Sequence, residues 1–282
     1  MNLCSYAEIA RLLNRHGFHF SKALGQNFII DERVCPEMVR CLHADRDTGV
    51  LEIGPGIGVL TKELCKSAGK VVSIEFDKRL FPILDETLAE FSNFELVYGD
   101  VLKLDLNTII SEHFGSMKDI KVCANLPYYI TSPVIMKLIQ SDLPISEIVV
   151  MVQKEAAQRL TAEAGTRECT ALSVAAQYYA EAQKLFDVGR GSFMPQPKVD
   201  SAVIKLKVRK APAVAPGDTK HFFEIIKAAF SQRRKTALNC LSSSLGLPKD
   251  TVRKALKEAG LNETARAETF TLEDFANLSD LI

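Results

Sequence analysis

Five short β-branched runs, GVLEIG (49–54), KVVSIE (70–75), FELVYG (94–99), KVCAN (121–125) and EIVVMV (147–152), alternate with amphipathic stretches such as LTKELCKSA, RLFPILDETLAEF and SPVIMKLIQS. Strand–helix alternation with strands apolar almost throughout is the pattern of a parallel sheet covered on both faces. Two later runs qualify it. AQKLFDVG (182–189) and SAVIKLKVRK (201–210) are separated only by RGSFMPQPKVD, too short for a helical crossover. They are expected to pair antiparallel at one edge of a mostly parallel seven-stranded sheet. APAVAPG (211–217) reads as a linker to four helical patterns, roughly 219–231, 233–245, 248–259 and 271–281, with Gly246 and Gly260 as stop signals. The expected division is an α/β domain over 1–210, with an N-terminal helical extension, and a small all-helical domain over 211–282.

With 47% hydrophobic and 25% charged residues in 282, the chain has material for one large core and one smaller one. Its seven cysteines form no CxxC pair and no cluster with the five histidines. That argues against a disulfide framework or a metal site and for a cytoplasmic protein. No window of about 18 apolar residues occurs, and charges interrupt the N-terminal MNLCSYAEIARLLNRHGF, so neither a membrane span nor a signal peptide is expected. Formal net charge is zero, yet residues 186–282 carry 16 basic against 11 acidic side chains and residues 1–185 carry 19 against 24. The C-terminal third therefore suits an anionic partner.

VLEIGPGIGVLT follows one strand and opens a helix, as a glycine-rich cofactor loop must. Its spacing is Gly54-x-Gly56-x-Gly58, with Val59 where the dinucleotide fingerprint places its third glycine. GxGxG after a strand ending in an acid suits S-adenosylmethionine, for which no pyrophosphate has to sit on the helix terminus. A plain tight turn is the alternative. Glu75 at the end of the second strand is placed to accept two ribose hydroxyls, and Asp100 at the end of the third to accept from an adenine amino group. Each acid alone could be a solvated loop charge; three such groups on successive strand ends form the crevice where open α/β sheets bind ligands.

The fourth strand ends at Asn125 in ANLPYYITSP. Asn-x-Pro is a turn signal, with Ser132 and Pro133 as an N-cap and first helical residue. The residue types also suit methyl transfer to a nucleobase amine, a poor nucleophile because its lone pair is delocalised. The Asn125 oxygen and a neighbouring carbonyl, that of Leu126, can accept its two N–H groups; Pro127 fixes that backbone, and Tyr128 can stack on a base drawn out of its helix or loop. Cys123 is expected to face the core, and no role is assigned to Tyr129.

The runs KALGQNFIID, EIGPGIGVLT, IEFD, YGDVLKLD, ANLPYYITSP, VQKEAAQRL, LSVAAQYY, SFMPQPKVDSAV and AFSQRRKTALNCL together resemble the successive motifs of the small-subunit (16S) ribosomal RNA adenine N6,N6-dimethyltransferases over about residues 20–245. The resemblance implies a Rossmann-like class I methyltransferase fold. It implies that Asn27 and Ile29 close over S-adenosylmethionine, that Gly54, Gly56, Glu75 and Asp100 hold it, and that Asn125 touches cofactor and target. The implied reaction places two methyl groups on N6 of each of two adjacent adenines near the 3′ end of the RNA, with S-adenosylhomocysteine as product, on a small subunit or its precursor. A monomer acting in subunit maturation is expected.

Phe193 in SFMPQPK is a candidate to stack on the target base, with a buried loop anchor as the alternative. Arg233, Arg234 and Lys235 suit phosphate contact or are a solvated helix start; Arg11, Arg15 and His16 on the N-terminal helix are a weaker RNA surface. A large-subunit (23S) RNA adenine dimethyltransferase conferring antibiotic resistance and a methyltransferase-like RNA-binding assembly factor remain as rivals. FMPQPKVDSAV and SQRRKT favour the small-subunit enzyme, and the intact Gly54, Glu75, Asp100 and Asn125 argue against lost catalysis. A DNA adenine methyltransferase is disfavoured, because an acid or Asn before two prolines is missing.

Overall fold

The structure, a computed structural model, describes residues 1–21 and 24–282; Lys22 and Ala23, in the KALGQNFIID motif, lie outside the described residues. The chain forms two compact units, residues 1–157 with 183–208 and residues 158–182 with 209–282.

The first unit contains α1 (Tyr6–Arg15), β1 (Phe28–Ile29), α2 (Val34–Leu42), β2 (Thr48–Ile53), α3 (Val59–Ser67), β3 (Lys70–Glu75), α4 (Phe81–Thr87), β4 (Phe94–Tyr98), α5 (Leu106–His113), β5 (Asp119–Asn125), α6 (Thr131–Gln140) and β6 (Ile145–Gln153). α7 (Lys154–Leu160) leaves it, β7 (Ala180–Val188) returns to it, and β8 (Phe193–Met194) and β9 (Ser201–Val208) complete it. Among the described residues the main sheet runs β4-β3-β2-β5-β6-β9-β7. β2 pairs parallel with β3 and β5, β3 with β4, and β5 with β6, while β9 runs antiparallel to β6. This is the expected Rossmann-like sheet with one refinement. β9 lies inside the sheet between β6 and β7, so only β7 is at that edge.

Every residue of β2 is buried, which is why its sequence is a continuous run and not an alternation. The chain leaves β2 toward β3 and β4 and then crosses to β5 on the other side. The carboxyl ends of β2 and β5 therefore flank a topological switch point, where such sheets hold ligands.

Two expectations in this unit are corrected. The helix expected across RLFPILDETLAEF stops at Thr87. α6 begins at Thr131 after Ile130, so Ser132 is not its cap; the Thr131 hydroxyl instead donates to the Pro127 carbonyl at 3.2 Å. α1 is packed through Ile9, Leu12 and Leu13, and Arg15 and His16 at its end pair with Glu86 on α4, His16 at 2.7 Å.

The second unit holds α8 (Ala171–Tyr179), α9 (Thr219–Ala229), α10 (Ala237–Leu245), α11 (Lys249–Glu258) and α12 (Leu272–Leu281). Residues 158–182 were expected with the α/β domain. They join the helices because Ala162, Cys169, Val174 and Tyr178 bury their apolar surface in one cluster with Phe222, Ile226 and Phe275. Caps set the helix limits as elementary rules require. Asp218 accepts from the N–H groups of Lys220 and His221, Thr170 and Thr271 form capping boxes, and Gly246 ends α10 at φ 68°. Arg233, Arg234 and Lys235 do not start a helix. They are exposed on the turn before Thr236, the N-cap of α10.

Among the described residues no helix is long and apolar enough to cross a membrane.

Candidate active site

A cavity of about 310 Å³ opens at the carboxyl ends of β2, β3, β4 and β5, within the size class of small-molecule sites. Its lining brings together Asn27, Ile29, Gly54, Gly56, Glu75, Asp100, Asn125, Leu126, Pro127 and Tyr128. Phe193 is not among them. It is 3% exposed, paired through β8 with Ile29 of β1 and packed into the core cluster, so it is placed as a loop anchor. Arg233, Arg234 and Lys235 belong to the other compact unit.

The glycine loop has the conformation that makes glycine necessary. Gly56 has φ 59°, and a Cβ there would stand 3.1 Å from the Phe28 ring; Gly58, the N-cap of α3, has φ 90° and would clash mildly with Thr87 and Leu88. At Gly54, by contrast, a Cβ would meet nothing within 4 Å. The open space beside that backbone is space a ligand can fill.

Glu75 is 8% exposed, and its Oε1 accepts the Asp77 N–H at 2.7 Å. Burial pushes its carboxyl up to about 7, against hydrogen bonds from the Asp77, Phe76 and Gly56 backbone that favour the charge. Asp77 in turn holds the segment before β1: Gln26 Nε2 donates to its Oδ2 at 2.7 Å, and Arg79 grips both oxygens at 2.8 and 2.6 Å. The Arg79 guanidinium lies 5.1 Å from the centroid of the Phe18 ring, so N-terminal segment, β3 and cavity wall are one network. Asp100 accepts from the Leu102 N–H at 3.0 Å, and Lys137 of α6 pins that loop through the Leu102 and Leu104 carbonyls at 3.1 and 2.7 Å.

Asn125 ends β5 with its Nδ2 donating to the Asn27 carbonyl at 3.3 Å, and its Oδ1 accepts no hydrogen bond among the described residues. The Leu126 N–H extends the ladder to the Met151 carbonyl at 3.1 Å, and the Pro127 carbonyl takes the Ile130 N–H at 3.2 Å in addition to the Thr131 hydroxyl. Tyr128 is half-buried, and its hydroxyl meets Ser201 Oγ at 3.0 Å. Cys123 is fully buried with its thiol pushed well up by burial, as suits a core residue.

Two site residues escaped the sequence. Ser201 orients Tyr128 from β9, and nothing in VDSAV marks it. Glu52 does carry a signal, an acid inside an all-buried strand. It is 1% exposed and lines the cavity; Oε2 accepts from Thr61 at 2.7 Å and Ser73 at 2.5 Å, while Oε1 is buried with no partner among the described residues. A buried carboxyl oxygen without a partner, an open glycine backbone and two further acids are an acceptor set matched to a ligand rich in N–H and O–H groups. The cavity thus fits S-adenosylmethionine.

Burial pushes Glu52 up to about 7 from its ordinary 4.5, the opposing hydrogen bonds from Ser73 and Thr61 notwithstanding. The folded protein therefore keeps a proton that the unfolded chain has already released, and stability contributed here is lost as pH rises from about 4.5 through about 7. Glu52→Gln is expected to stabilise the ligand-free protein at pH 8 by about 2–3 kcal/mol and to change little at pH 5, as read by urea unfolding.

The family model for ribosomal RNA adenine dimethylase matches residues 17–282. The protein named ribosomal RNA small subunit methyltransferase A of Geobacillus sp. (strain WCH70) is 47% identical over 274 residues, covering 96% of this chain and 94% of its own length. Its namesake in Bacillus mycoides (strain KBAB4) has the same identity and coverage. Among solved structures, a dimethyladenosine transferase from Plasmodium falciparum superposes with a TM-score of 0.73 at 26% identity, over 89% of this chain and 95% of that one. The 23S rRNA methyltransferase ErmE superposes with a TM-score of 0.67 at 26% identity, over 90% and 98%.

Proposed function

The chain belongs to the ribosomal RNA adenine dimethylase family, and from that premise we propose that it transfers methyl groups from S-adenosylmethionine to N6 of two adjacent adenines in the hairpin loop near the 3′ end of small-subunit (16S) ribosomal RNA. The products are N6,N6-dimethyladenosines and S-adenosylhomocysteine. The observation that carries this reading is the Asn125 amide, fixed at the cavity by its bond to Asn27 with Oδ1 left to accept.

When bound, the cofactor supplies a methyl group on a sulfonium whose leaving group is a neutral thioether. Glu75 would take its ribose hydroxyls and Asp100 its adenine amine, with Gly54, Gly56, Asn27 and Ile29 as the other residues of the cavity that would hold it. Asn125 Oδ1 and the Leu126 carbonyl accept the two N–H groups of the target N6 and favour a tetrahedral nitrogen with a free lone pair. The Pro127 carbonyl already accepts from Ile130 and Thr131, which supports Leu126 as the second acceptor. Tyr128, oriented by Ser201, gives the extruded base a stacking face. Beyond these groups the reaction needs mainly alignment.

The exposed Arg233, Arg234 and Lys235 contact phosphates of the small subunit or its precursor. Phe193 acts through β8, holding Ile29 in place. The protein works as a monomer in the cytoplasm during subunit maturation.

The likeness to ErmE keeps a large-subunit substrate as the second reading. Incubation of the protein and labelled cofactor with unmethylated small and large ribosomal particles separates them. Label on the small particle is expected; label on the large particle alone would overturn the reading.

A further inference from the structure

Large exposed aromatic side chains are ordinary when scattered, and exposure by itself argues nothing. The position of Tyr129 is different. It is 58% exposed, lines the same cavity as Asn125, and directly follows the half-buried Tyr128. The Tyr128 hydroxyl is held by Ser201, whereas Tyr129 is exposed where the same cavity opens, on the side of Asp100 and Glu75. Both sit on a short turn closed by the Ile130 N–H and the Thr131 hydroxyl on the Pro127 carbonyl. At its edge Tyr129 abuts Gly25: a Cβ on Gly25, which has φ 58°, would stand 3.6 Å from Tyr129 Cδ1. An aromatic face displayed on a closed turn loses little freedom on stacking, and single-stranded RNA is read by splaying consecutive bases onto such faces.

We propose that Tyr129 is a second base platform: while one adenine of the substrate pair occupies the pocket over Tyr128, its neighbour stacks on Tyr129 outside. This rests on the reading of the substrate as an RNA with two adjacent target adenines, which the function above supplies. Tyr128 and Tyr129 are adjacent in the chain and line one cavity, so a base held over the first places its nucleotide neighbour within reach of the second. The ring face does the work and the hydroxyl is dispensable.

The test compares wild type, Tyr129→Phe and Tyr129→Ala in methyl transfer to unmethylated small ribosomal subunits, with cofactor affinity measured separately by equilibrium dialysis without RNA. Tyr129→Ala is expected to raise KM for the subunit roughly tenfold, the scale of one lost base–aromatic stack, at nearly unchanged kcat and cofactor Kd. Tyr129→Phe is expected to match wild type. The proposal is overturned if alanine leaves KM unchanged, if phenylalanine is as poor as alanine, or if cofactor Kd weakens in step with KM, which would make Tyr129 a support of the Gly25 segment. Failure of the wild-type protein to methylate small subunits would instead sink the functional reading beneath it.

Discussion

Asn125→Ala is expected to lower methyl transfer by about 10² or more while leaving cofactor binding largely intact, the cost of removing one group that acts mainly in the transition state. Among the described residues Asn125 Oδ1 has no hydrogen-bond partner, because the amide nitrogen is the atom tied to Asn27. What disappears with it is an acceptor that draws the target nitrogen toward a tetrahedral, nucleophilic geometry. The cofactor keeps Glu75, Asp100 and the glycine backbone. Single-turnover transfer, compared with cofactor Kd from equilibrium dialysis, separates the two effects; normal transfer by the variant would remove Asn125 from the mechanism. The same geometry implies an asymmetry between the two transfers. After one methyl group is added the target nitrogen retains a single N–H, so only one of the two acceptors can be satisfied in the second step.

Glu75→Gln is expected to weaken cofactor binding by about 10- to 100-fold, since hydrogen bonds to a charged acceptor contribute about 1.5–3 kcal/mol. The pH dependence gives this prediction a signature. Burial raises the Glu75 carboxyl to about 7 in the ligand-free protein, and two ribose hydroxyls favour its ionised form. Cofactor affinity of the wild type should therefore fall as pH is lowered from 8 to 6. In the Gln variant affinity should be lower throughout and less steep in pH, with Glu52 as the remaining group titrating near 7. An equally steep profile in the variant would assign the dependence elsewhere.

Most of the sheet was legible because buried parallel strands write themselves as uninterrupted β-branched runs, and the cofactor side of the cavity because glycines and acids fall at the ends of those runs. The two-residue ladder of β1 and β8 was not, since two residues carry no period, and with it went the placement of Phe193. Residues 158–182 misled for a different reason: their apolar side chains find partners more than 40 positions onward, in Phe222, Ile226 and Phe275, a relation invisible to local pattern. The helix start near Arg233 to Lys235 is misplaced in the sequence because the pattern continues helically; Thr236, able to cap, is the better signal. Ser201 was hidden because its importance lies entirely in what Tyr128 does with it.

The central claim, that Asn125 and its turn methylate two neighbouring adenines of small-subunit RNA, is tested most directly by mass spectrometry of RNA fragments from unmethylated small subunits incubated with the protein and cofactor. N6,N6-dimethyladenosine at two adjacent positions near the 3′ end is the predicted result. A single monomethylated adenine, or methyl groups on any other base, would contradict it.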